Sequence, residues 1–234
     1  MYEYKTRVGF SNVGNDHRLK IYGLMNILQD TTCFHSDDIG YGLKWLSPQH
    51  MGWFVTNYEV HINEMPVYGQ EIIVRTYAVN FKGMLGTRNF EVLDLEGNVL
   101  AYASSLWILM DLEKLSPVRV PAEMVEAYEI SEPPAHDFKG GKMRPDKEAT
   151  NVGYFTVEKM HLDTNDHMNN SIYIDVTSRF LPEGFEAKTV MINYKKAARL
   201  DDTLEVRLAT IDEGYQILLV KDEEVYTIVE FLND

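Results

Sequence analysis

The sequence is short of cysteine, of positive charge and of long apolar runs. Its one cysteine, Cys33, can close no disulfide within the chain, so the fold calls for no oxidising compartment and the cytoplasm is the expected location. No stretch approaches the ~20 apolar residues that a membrane span needs. Met1 to Phe10 alternate and carry charge, unlike a secretory leader. Basic residues number 22 against 36 acidic ones, a net charge of −14. That balance argues against nucleic acid as a partner, because phosphate binding calls for a cationic surface. His17 and His35, expected to flank a first helix, have no Cys or His partners at ligand spacing, so no metal site is expected. Proline is sparse, and five of the eight fall between 117 and 145.

What is there is patterned. A chain of 234 residues is comfortable for two domains of about 100–130 residues. Residues 2–10 read as a strand. Ile21, Leu24, Met25 and Leu28 then form the i, i+3, i+4, i+7 stripe of a helix over 20–33. Alternation over 53–63 puts Phe54, Thr56, Tyr58, Val60 and Ile62 on one face of a strand. Strands follow at 70–80 and 86–95, and Glu96-Gly97-Asn98 turns the chain into a long strand, Val99–Met110. Residues 116–148, with their prolines and with Gly140 and Gly141, predict a short helix over 121–128 and then a linker. The order then repeats. A strand at 152–161 precedes a helix at 169–180 with Ile172, Tyr173, Val176 and Phe180 on one side. Strands come next at 188–195, 203–211, 215–220 and 225–232. The letters repeat as well: Asn15-Asp16-His17 precedes the first helix and Asn165-Asp166-His167 the second, 150 positions later. Val60-His61-Ile62 and Ile192-Asn193-Tyr194 occupy matching strands. An internal repeat of this kind implies a duplicated unit. The expected architecture is α+β: two tandem hotdog folds, each a long helix packed on a curved antiparallel sheet. Residues 1–130 are expected to form the N-terminal domain, 131–149 a linker and 150–234 the C-terminal domain.

The segment richest in chemistry is His161-Leu162-Asp163-Thr164-Asn165-Asp166-His167-Met168-Asn169-Asn170. It lies between a strand and a helix start, where free backbone N–H groups and a partial positive charge can receive a developing oxyanion. Asp163, Asn165 and His167 are spaced by two, so an extended backbone would project them to one side. His167 can take or relay a proton near neutral pH. Asp163 can orient a water, and Asn165 can hold a carbonyl or a water without titrating. The same letters also suit a plain capping turn, with Asn169 or Asn170 as the cap.

This segment resembles the D-x-N-x-H-x-N-N signature of plant and bacterial fatty acyl-ACP thioesterases. Met84-Leu85-Gly86-Thr87-Arg88-Asn89-Phe90 is similar to that family's G-T-R-R segment, and Ala103-Ser104-Ser105-Leu106-Trp107 to its A-T-S-x-W strand. Trp53 through Ile62, with Pro66, Gly69 and Val74, resemble its first-domain strands. The resemblance implies a thioester hydrolase acting on acyl carrier protein in fatty acid biosynthesis, with Asp163, Asn165 and His167 catalytic and no cofactor. It also marks a departure. The plant family's Y-R-R-E-C segment reads Tyr194-Lys195-Lys196-Ala197-Ala198 here, so neither a Glu base nor a Cys nucleophile stands at those places.

Several residues remain. Leu24, Met25 and Leu28 are candidates for an acyl tunnel, although core packing alone would explain them. Lys195, Lys196 and Arg199 form a basic cluster suited to docking an acidic carrier protein. Lys139, Lys142, Arg144 and Lys147 read as a solvated face. Cys33, beside the first helix's buried stripe, reads as a core thiol. The tandem arrangement leaves a monomer self-sufficient, with a homodimer as the other assembly. Hydrolysis of acyl-coenzyme A and non-catalytic acyl binding are the competing readings; a dehydratase would show a His followed by Phe-Pro-Gly, which this sequence lacks.

Overall fold

The computed structural model describes residues 1–132 and 134–233. Pro133, in the expected linker, and Asp234, at the end of the expected second domain, lie outside the described residues. The chain packs as two units, Met1–Thr56 with Asn63–Phe138 and Asn57–Ile62 with Lys139–Asp234.

The first unit opens with β1 (Tyr2–Arg7) and α1 (Ile21–Asp38), followed by the one-turn α2 (Leu43–Leu46). Strand β2 (Met51–Ile62) gives this unit its first half. Strands β3 (Glu71–Lys82), β4 (Leu85–Leu93), β5 (Val99–Asp111) and the two-residue β6 (Ser116–Pro117) complete the sheet, and α3 (Ala122–Ala127) follows. The sheet runs β1-β3-β4-β5-β2, with β6 pairing β5 off this path; the pairings β1 with β3, β3 with β4, β4 with β5 and β5 with β6 are antiparallel. The Glu96-Gly97-Asn98 turn closes the β4–β5 hairpin. Gly97 has φ +89°, a conformation glycine adopts without strain. Asn98 donates from its backbone and side-chain nitrogens to the Asp94 carboxylate at 2.8 and 2.7 Å.

Helix α1 runs five residues past its expected end at 33. Leu24, Met25 and Leu28 are buried, and the buried face continues through Thr31, Thr32, His35 and Ser36. The hydroxyls of Thr31, Thr32 and Ser36 donate to carbonyls four residues back at 2.7, 3.0 and 2.9 Å. Polar groups satisfied this way can line a buried face. His35 therefore lies inside the helix rather than beside it. Cys33 is half-buried, and burial pushes its thiol up from the ordinary value, which leaves it a poor nucleophile.

The second unit takes residues 57–62 of β2 and adds β7 (Thr150–Thr156), α4 (Asn170–Ser178), β8 (Thr189–Tyr194), β9 (Thr203–Ile211), β10 (Gly214–Lys221) and β11 (Glu224–Leu232). Its order is β2-β8-β11-β10-β9-β7, all antiparallel. Register shifts at Leu219/Val220 and Asn151/Gly153 bend the strands. The expected strand over 152–161 stops at Thr156, and Lys159–His161 form a 3-10 turn. The expected long helix is nine residues, and its buried side is Ser171, Tyr173, Ile174, Val176 and Thr177, with Ile172 and Phe180 only partly covered.

Residues 134–149 are anchored along their length. In the first unit His136 Nε2 lies 2.9 Å from the buried Glu91 carboxylate, and its ring stacks on Tyr102 at 4.2 Å. In the second, the Lys139 and Gly140 amides donate to buried Glu59 at 2.7 and 2.8 Å, and Gln216 binds the backbone at Arg144 and Asp146. By packing, the units divide after Phe138, within the segment 131–149 expected as the linker, and Asn57–Ile62 goes with the later half, where β2 pairs with β8.

Candidate active site

The loop that carries Asp163, Asn165 and His167 is a closed turn rather than an extended segment. Leu162 and Met168 form an isolated bridge. The Asp163 N–H donates to the His167 carbonyl at 2.7 Å, and that of Asp166 to the Asp163 carbonyl at 3.2 Å. Asp166 has φ +56°, a left-handed conformation that aspartate tolerates. Inside the turn one oxygen of Asp163, Oδ1, accepts the N–H groups of Asn165 and His167 at 2.8 and 3.2 Å. Its Oδ2 makes no hydrogen bond among the described residues. The spacing of two thus brings the three residues together through the Asp163 carboxylate, not through a strand face.

Asn169 caps α4, accepting from the Ser171 amide and hydroxyl, both at 2.9 Å. The Asn170 N–H, at the first helical position, has no acceptor among the described residues. His167 is half-buried. Burial, and then the Arg199 cation, hold its imidazole below the ordinary value against the opposing pull of Asp163 and Asp166. It is therefore neutral near pH 7 and able to accept a proton.

Beneath the loop lies the turn after β8. The Met168 N–H donates to the Ala198 carbonyl at 2.8 Å. The Ala198 N–H donates to the Tyr173 hydroxyl, also at 2.8 Å. Ala198 is fully buried and Ala197 exposed. Asp202 accepts from Lys221 Nζ and from the Arg199 N–H at 2.8 Å, which commits both of its oxygens. In the basic cluster Lys195 and Arg199 are exposed, while Lys196 is paired with Glu224 and lies over the Tyr226 ring. Tyr173 was visible in the sequence only as one member of an apolar stripe.

The same scaffold occurs in the first unit, one position out of the letter match. Val13 bridges Leu19 there as Leu162 bridges Met168. His17, φ +62°, takes the place of Asp166. The Leu19 N–H donates to Pro66 as Met168 does to Ala198, and Val8 bonds Gln70 as Val157 bonds Asp202, each pair within 0.1 Å of the other. The offset is 149, from Gly14 to Asp163, rather than 150. Gly14 stands where Asp163 does, Arg18 where His167 does and Asp16 where Asn165 does. The Asn-Asp-His coincidence is thus displaced by one residue. Val60-His61-Ile62 and Ile192-Asn193-Tyr194 do correspond, at the offset of 132 that also relates Pro66 to Ala198.

Residues 1–128 match the family model described as acyl-ACP thioesterase N-terminal domain, and 144–228 match the acyl-ACP thioesterase C-terminal domain. The chain is 22% identical to the chloroplastic oleoyl-acyl carrier protein thioesterase 1 of Arabidopsis thaliana over 234 aligned positions, with 91% of this chain and 64% of that protein covered. It is 27% identical to the chloroplastic palmitoyl-acyl carrier protein thioesterase of the same plant, with 82% and 51% covered. The chain therefore spans about half to two thirds of these relatives' length. Its fold matches that of an acyl-ACP thioesterase from Bacteroides thetaiotaomicron with a TM-score of 0.87 at 22% identity, covering 98% and 96% of the two chains. For a 12:0-ACP thioesterase from Umbellularia californica the TM-score is 0.86 at 20% identity, with 99% and 96% covered. The chain belongs to the acyl-ACP thioesterase family.

Proposed function

We propose that this protein hydrolyses the thioester of fatty acyl-[acyl carrier protein] and releases free fatty acid, as a cytoplasmic enzyme of fatty acid biosynthesis. The observation that carries this reading is the turn in which one oxygen of Asp163 fixes the loop and leaves the other open, beside a neutral His167 at a helix start. In this mechanism the open oxygen of Asp163 orients a water and Asn165 holds the carbonyl. His167 takes the water's proton as the new C–O bond forms. The Asn170 N–H receives the oxyanion, the C–S bond breaks, and the proton passes from His167 to the departing thiolate. Asp163 favours the imidazolium that forms transiently. No step calls for a cofactor.

The first domain would hold the acyl tail, lying along Leu24, Met25 and Leu28. The second would carry the chemistry. Lys195 and Arg199, with Lys196 tempered by Glu224, suit an acidic carrier protein against the −14 background. Lys195→Glu should raise KM for acyl carrier protein substrates about threefold and leave acyl-coenzyme A kinetics unchanged, since rim charges act mainly on encounter. Equal effects on both substrates would remove Lys195 from docking.

The decisive test is product release from acyl-ACP and acyl-coenzyme A thioesters of varied length, with wild type and His167→Ala side by side. Hydrolysis of acyl-ACP in preference to acyl-coenzyme A, lost by at least about a hundredfold in the variant, is the expected result. Binding without turnover on either class would make the protein a non-catalytic acyl binder, a reading that Ala197 and Ala198 keep in play.

A further inference from the structure

The duplicated scaffold provides an internal control for which side chains the fold needs and which the chemistry needs. Tyr173 is 2% exposed and lies in the first turn of α4. At the offset of 149 its counterpart is Leu24, equally buried in the first turn of α1. Ala198, whose amide Tyr173 accepts, corresponds to Pro66, which has no N–H to give. Asp163 corresponds to Gly14. The carboxylate, the amide and the hydroxyl are therefore present together in one copy and absent together from the other. Both copies close the same turn with the same backbone hydrogen bonds. The fold does not need the Tyr173 hydroxyl.

That hydroxyl has one hydrogen bond among the described residues, and in it the oxygen accepts. Its own proton is still to be donated, from a buried position where an unmet donor costs free energy. Ala198 ties that hydroxyl to the Asp163 loop, its N–H binding Tyr173 and its carbonyl accepting the N–H of Met168, the residue that bridges Leu162 next to Asp163, and Asp163 Oδ2 is an open acceptor among the described residues. We propose that Tyr173 is a positioning residue for the hydrolysis: seated on the Ala198 amide, its hydroxyl donates through a bridging water to Asp163 and holds that carboxylate aimed at the substrate water. A water bridge between a donor and an acceptor of this kind is nearly as good as a direct hydrogen bond. The titratable and charged groups around this pair are His167 and Asp166 on the loop, Arg199 and Asp202 on the turn, and Tyr194 and Tyr226 from the sheet.

The catalytic part of this inference rests on the proposed hydrolase reading, so its test has one readout that needs no activity. Tyr173→Phe keeps the ring and removes the hydroxyl. Its effect is read from crystal structures of wild type and variant at one pH: an ordered water within hydrogen-bond distance of both the Tyr173 hydroxyl and Asp163 Oδ2 should be present in wild type and absent from the variant. With acyl-ACP as substrate, kcat should fall about tenfold with KM within about twofold, the scale of one lost hydrogen bond to a charged group. A wild type without that water, or a variant that keeps it, overturns the proposal whether or not the wild type is active. Loss of the water in the variant of a wild type that hydrolyses nothing sustains the positioning role and sinks the hydrolase reading. Loss of the water with unchanged kcat overturns the catalytic part.

Discussion

Asp163→Asn is expected to lower kcat by about 10²–10³-fold while the melting temperature stays within about 2 °C of wild type. The two effects separate because the two oxygens of Asp163 have different tasks. Oδ1 accepts the N–H groups of Asn165 and His167 and closes the turn. An asparagine oxygen can accept the same pair, so the loop keeps its shape. The charge that orients the water and favours the transient imidazolium is lost. The acid limb of the rate profile should shift with it. Asp163 raises the His167 pKa against burial and Arg199, so its neutralisation lowers that pKa and moves the limb to lower pH. Asp163→Ala removes the acceptor as well and should cost about 1–2 kcal/mol of stability in addition. Steady-state kinetics across pH, with thermal melts of the same samples, resolve the three proteins. An asparagine variant within twofold of wild-type kcat would place Asp163 outside the chemistry.

Much of the fold was legible because alternation and the apolar stripe are direct consequences of burial. The strand over 203–211 has those bounds in the structure, and most others agree within two residues. The misses share a physical origin. The end of α1 beyond 33 was read as outside the helix because His35 and Ser36 are polar, and only the structure shows the imidazole and the hydroxyl satisfied within the buried face. The 131–149 segment was read as a linker from its prolines and glycines. What anchors it are carboxylates and amides far away in sequence, Glu59, Glu91 and Gln216. Asp163, Asn165 and His167 were legible as a group. Their arrangement was not, since a spacing of two fits a strand, and the left-handed Asp166 that converts it to a turn leaves no signal beyond residue type. The letter match at Asn-Asp-His pointed to a real duplication in the wrong register. Backbone hydrogen bonds, which do not depend on side chains, fix the register at 149.

His35 gives the largest expected effect on stability, and its sign follows from its surroundings. It is 5% exposed, stacked on Tyr2 at 5.0 Å and edge-on to Tyr128 at 5.4 Å. Arg88 donates to its Nδ1 at 3.0 Å, which places the imidazole proton on Nε2. Burial, and then the Arg88 cation and the terminal ammonium, push its pKa down from 6.5 to about 3, with Asp38 pulling weakly the other way. The folded protein therefore refuses a proton that the unfolded chain accepts at pH 6.5. Between about pH 6.5 and 3 the unfolded state holds the extra proton, so stability is retained above this window and lost as pH falls through it. His35→Gln keeps an acceptor for Arg88 and removes the titration. It should be less stable than wild type at pH 7, by about 1–2 kcal/mol for the lost ring contacts. Wild type should lose on the order of 2 kcal/mol more than the variant between pH 7 and 4.5, so the difference closes or reverses. Urea unfolding of both proteins at the two pH values measures this directly. Parallel losses in the two proteins would mean that His35 accepts its proton in the folded state, and that Arg88 does not hold it neutral.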